Sequence, residues 1–107
     1  MDFGFVKNLV DKIVAQAGTR DVPMIAAKAN IKIVYESWHP VTIGEFERNT
    51  KTIRVNRRAS EIDQNEAIFE NIVAHELGHF FAVDWHLSKA DEERFAREFA
   101  KVLTGRE

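Results

Sequence analysis

The chain has 107 residues, 45% of them hydrophobic and 30% charged, which suits a single compact domain over residues 1–107 with a modest core and excludes two. A formal net charge of −2 excludes the broad basic surface of a direct nucleic-acid binder. With no cysteine, disulfides and thiolate ligands are excluded, so any bound metal must be held by histidine, carboxylate and water.

Phe3, Val6, Val10, Ile13, Val14 and Ala17 recur at helical spacing and stop at Gly18. This predicts an amphipathic helix over residues 3–17 closed by a glycine cap. Asp2, Lys7, Asp11 and Lys12 interrupt the apolar residues, so the stretch lacks the continuous apolar core of a secretory signal and is too polar to span a membrane. A cytoplasmic protein without membrane association is expected. Asp21 then offers an N-cap, Pro23 suits a first turn, and Met24 to Ala29 extend a short second helix that Asn30 ends.

Strand signals follow. Ile31-Lys32-Ile33-Val34-Tyr35 alternates, Val41 to Glu47 alternates less cleanly, and Thr52-Ile53-Arg54-Val55-Asn56 alternates well after a turn at Asn49-Thr50-Lys51. The basic residues Lys51, Arg54, Arg57 and Arg58 read as a solvated strand end.

Residues 75–79 read His75-Glu76-Leu77-Gly78-His79, the HExxH pattern of zinc peptidases. On a helix, positions i and i+4 share a face, so both imidazoles can reach one ion beside it. Glu76, one position round, is placed to act as general base. The helix is expected to start near Asp63, with Glu66 reaching back to complete the cap, and to run to about Val83. Ile68, Ile72, His75 and His79 form one stripe, predicted to point into the domain. Inward imidazoles need partners, and a metal supplies one to both.

A last helix is expected from about Ala90 to Leu103, burying Phe95, Ala96, Phe99, Val102 and Leu103. The fold class is α+β: a small antiparallel three-stranded sheet packed against helices, with the HExxH motif on a central helix.

HExxH needs a third ligand. His86 follows His79 by seven residues, roughly 10 Å along a continuous helix and too far for the same ion. The acidic run Asp91-Glu92-Glu93 is the better source. Ser88 and Asp91 fit a capping box, which gives Asp91 a structural use. Glu92 precedes Phe95, Phe99 and Leu103 at helical spacing and so falls on the buried face, where a carboxylate needs a cation. Glu93 is expected to point to solvent. Glu92 is the preferred ligand and Asp91 the alternative. His39, His86 and Tyr35 are candidate oxyanion donors. Trp38 and Trp85 read as buried anchors or as a partner surface.

In the order of these elements, the chain resembles the ImmA/IrrE family of small zinc metallopeptidases. The resemblance is carried by the strand 31–35, the strand 52–56, the block Ile72-Val73-Ala74-His75-Glu76-Leu77-Gly78-His79 and the later Phe95-Ala96-Arg97-Glu98-Phe99. It implies a zincin-like minimal metallopeptidase fold, zinc held by His75 and His79, Glu76 as general base, and a third carboxylate from the last helix. Alignment with the family's Glu-Ala-Asn segment points to Asp91, whereas the helix face points to Glu92. The resemblance also implies regulatory proteolysis of a protein substrate such as a helix-turn-helix repressor of a phage or mobile element. Two other readings are a zinc-stabilised module that binds a regulator without cutting it, and a metal-free structural domain.

Overall fold

A computed structural model of the chain describes residues 2–36, 44–56 and 66–105. Helix α1 runs Val6–Ala17 and buries Val6, Val10, Ile13 and Ala17, the inward positions of the predicted stripe. Gly18 ends it at φ 72, donating its N–H to Val14 O, a left-handed cap that glycine adopts without steric cost. Helix α2, Val22–Lys28, is capped by Asp21, whose side chain accepts from Met24 N–H at 3.1 Å. Asn30, at φ 61, turns the chain into the sheet.

Strands β1 (Lys32–Glu36), β2 (Gly44–Glu47) and β3 (Thr52–Asn56) form a sheet in the order β1-β3-β2. This corrects the antiparallel expectation, because the sheet is mixed. β2 and β3 form an antiparallel hairpin pairing Gly44 with Val55 and Glu47 with Thr52, while β1 lies parallel to β3 and pairs Lys32 with Thr52 and Glu36 with Asn56. The cause is burial. In β3, Thr52, Ile53, Val55 and Asn56 are all buried, whereas β1 exposes Lys32 and Tyr35 and β2 exposes Glu45. A strand covered on both faces takes the middle, and the hairpin carries it there. Trp38, His39, Arg57, Arg58 and Asp63 lie outside what is described, as do the side chain of Glu66, and with it the predicted cap, and the start of the predicted strand at Val41.

Arg54 is not the solvated end expected of it. From β3 its guanidinium reaches Glu36 on β1 at 2.8 Å and Glu47 on β2 at 2.9 Å, so its charge cross-links the three strands. Lys51 lies over the Phe80 ring at 5.6 Å.

Helix α3 spans Glu66–Ala82 and continues as a single 3-10 turn, Val83–Trp85. His86 at φ 54 then reverses the chain into α4, Lys89–Thr104, which Ser88 caps by accepting from Asp91 N–H at 3.1 Å. α3 packs on α4 at close range, since a Cβ on Gly78 would stand 2.8 Å from Ala96 Cα. Val73, Ala74 and Leu77 of α3 join Phe95, Phe99 and Leu103 of α4, Val10 of α1, Ile25 of α2 and Ile53 of β3 in one apolar cluster. Each large side chain buried there contributes about 1.5–3 kcal/mol. The motif stripe is corrected at its N-terminal end: Ile68 is 36% exposed, and the residues facing the core are Val73, Ala74 and Leu77. α3 is apolar nearly all round, so its periodicity does not single out the inward face. Among the described residues no helix is long and apolar enough to cross a membrane.

Candidate metal centre

The histidine face of α3 forms the floor of a cleft of about 760 Å³, walled by Gly44, Glu45 and Phe46 of β2 and by Glu92 and Glu93 of α4. Two close approaches build it. At Gly44 a Cβ would meet Ile72 Cγ2 at 2.6 Å, so glycine lets β2 settle against α3. At Gly78 the missing side chain lets α4 descend until its first turn overhangs the histidines.

The carboxylate of Glu93 spans both rings. Its Oε1 is 2.7 Å from His75 Nε2 and its Oε2 is 3.1 Å from His79 Nε2. The rings lie 5.1 Å apart between centroids. On the far side of His79, Glu92 Oε2 is 2.7 Å from Nδ1. His75, His79 and Glu93 each offer one donor atom, and the three atoms lie within 4.8 Å of one another. Two imidazoles and one carboxylate are the donors of a catalytic zinc site that keeps its fourth position for water or substrate. The residues therefore fit that metal by number, type and convergence.

The electrostatics favour neutral forms at the floor. Burial lowers the pKa of His75 from its ordinary value, against the opposing pull of the Glu93 carboxylate. A neutral imidazole is the form that donates to a metal. Burial likewise raises Glu76 to about 7, helped by the charges of Glu93 and Glu45 and opposed by His79 and by a hydrogen bond from the Phe46 main chain.

Of the residues singled out in the sequence, His75, Glu76, His79 and Glu92 all line the cleft. Glu93 does not point to solvent as expected; its carboxylate is the one that joins the two histidines. Glu92 and Asp91 stand outside that convergent group, Glu92 on the opposite nitrogen of His79 and Asp91 with its N–H in the α4 cap. The helix phase ranks Glu92 as the more shielded, which it is at 32% exposed against 46% for Glu93, but it does not register that the first turn of α4 overhangs the histidines of α3, where Glu93 reaches both rings. His86 and Tyr35 are exposed and away from the cleft lining: His86 holds the turn, and Tyr35 packs edge-on against Phe69 at 5.5 Å. Trp85 is 39% exposed and sets its edge against Phe95 at 4.9 Å.

No family model matches this chain, and no curated protein or solved structure matches it.

Proposed function

We propose that this chain is a zinc-dependent endopeptidase of the ImmA/IrrE kind. One observation carries the reading: His75, His79 and Glu93 converge on one point of an open cleft, with Glu76 beside them and strand β2 along its wall. When bound, zinc supplies Lewis acidity, which makes water a better nucleophile and a carbonyl a better electrophile. The protein's own groups provide the rest. Glu76 takes the proton from the attacking water and returns it to the leaving amine, a role for which its position in the cleft next to His75 suits it. β2 is an edge strand of the sheet and walls the cleft, so it can orient an extended substrate segment by main-chain pairing beside the Phe46 main chain that Glu76 engages, while side-chain contacts select the peptide. The substrate class is a regulatory protein such as a helix-turn-helix repressor of a phage or mobile element, acting in the cytoplasm, with any effect on DNA passing through that partner.

The test is elemental analysis together with cleavage assays against purified helix-turn-helix repressors, for wild type and Glu76→Gln. One zinc per chain in both proteins, with turnover reduced by roughly 10²–10⁴-fold in the variant, is the expected outcome. Undiminished turnover in Glu76→Gln would remove Glu76 from the chemistry. Stoichiometric binding of an intact repressor by the zinc-loaded wild type would replace the peptidase with a zinc-stabilised interaction module.

A further inference from the structure

His79 is held from both ends of its ring, and the two contacts are not equivalent. Glu93 meets Nε2 at 3.1 Å, on the side where the donor atoms converge, and Glu92 meets Nδ1 at 2.7 Å, on the opposite side. Both carboxylates can only accept, so in a neutral ring they compete for the one N–H, and the shorter contact, Glu92 on Nδ1, holds it. A neutral imidazole has one lone-pair nitrogen only. Hydrogen on Nδ1 therefore leaves Nε2 as the donor, and Nε2 is the atom that faces the shared point with Glu93 and His75.

We propose that Glu92 is a positioning residue that fixes the tautomer and ring orientation of His79, and that Glu93 is the carboxylate ligand beside it. The assignment rests on the zinc reading above and deepens it. Its geometric basis is the first turn of α4. Ser88 Oγ accepts from Asp91 N–H at 3.1 Å and Ser88 O accepts from Glu92 N–H at 2.9 Å, which locks that turn in register. Consecutive residues on a helix diverge by about 100° around the axis, so two adjacent glutamates grip one imidazole from opposite nitrogens. Glu92 is also the better shielded of the two, its side chain 32% exposed against 46% for Glu93. Shielding strengthens an orienting hydrogen bond. Histidines that bind metals commonly donate their second N–H to a carboxylate, which raises ligand basicity as well as holding the ring.

The test uses the full chain as wild type, Glu92→Ala, Glu92→Gln and Glu93→Gln. Zinc affinity is read by competition with a chromophoric chelator, and the His79 ring nitrogens are read by ¹⁵N NMR in metal-free and zinc-loaded protein at a pH where the rings are neutral. Glu92→Ala is expected to weaken zinc by roughly 10–100-fold and to lose the preference for Nδ1–H in the metal-free protein. Glu92→Gln, whose amide oxygen still accepts, recovers part of both. Glu93→Gln loses more affinity than either and keeps the tautomer. Unchanged affinity and tautomer in Glu92→Ala would overturn the proposal. So would a loss in Glu92→Ala that matches or exceeds that of Glu93→Gln without recovery in Glu92→Gln, since Glu92 would then be the ligand. A protein that takes up no zinc would end the peptidase reading, while the metal-free spectra would still decide whether Glu92 sets the His79 tautomer.

Discussion

Glu76 occupies the floor of the cleft, and without metal its burial should make stability depend on pH. Its folded pKa of about 7 lies above the ordinary 4.5, so between these values the folded state holds more proton than the unfolded one and stability falls as pH rises. Glu76→Gln cannot ionise and escapes that fall. In urea unfolding under a chelator, the variant is expected to gain on wild type progressively from about pH 4.5 to 7, with the gain level above that. The downward shift of His75 is common to both proteins and cancels in the difference. A gap independent of pH would show that the carboxyl is not held neutral. At this scale the motif was the legible part, since HExxH names two imidazoles and a base by spacing alone. The carboxylate was not, because Asp91, Glu92 and Glu93 are consecutive and only the seat of α4 on α3 decides which reaches the rings.

That seat is a property of two elements. Glycine inside a helix costs about 1 kcal/mol relative to alanine, so Gly78 within HELGH signals that something comes close, and the structure identifies it as the Ala96 backbone. Gly78→Ala drives a methyl against that backbone rather than against a flexible side-chain end. It is expected to destabilise the fold by about 1–3 kcal/mol despite its better helix propensity, and to weaken zinc binding as the α4 carboxylates lift away. Unfolding titrations with chelator and with zinc separate the two effects; equal losses in both conditions would mean that α4 tilts without moving its first turn. Helix ends at Gly18, Asp21 and Ser88 were readable because caps are local chemistry. Strand order was not. The turn before Lys51 announces the β2–β3 hairpin, but no local signal says that β1 will lie parallel against β3, a pairing set by which strand must be covered on both faces.

For the whole molecule, the proposed zinc joins the two helices that carry much of the core. A ligand that binds only the folded state stabilises it by about 2.7 kcal/mol at a hundredfold excess over Kd, which for a domain of this size corresponds to a rise of roughly 10–20 °C in Tm. Differential scanning calorimetry with and without zinc checks this, and His75→Ala is expected to abolish most of the rise while keeping a cooperative transition. A rise that survives in His75→Ala would place the binding elsewhere. The tight reversal at His86 has a consequence in time as well. His79 and Glu93 are only fourteen positions apart in sequence, so the segment that must close to bring them together is short, and a loop of that length closes in well under a microsecond. The α3–α4 hairpin can thus assemble before the slower, long-range partnership of β1 with β3. If it belongs to the folding nucleus, saturating zinc should raise the refolding rate and leave the unfolding limb of the chevron nearly still. On that account the tight turn decides how early the chain can capture its metal.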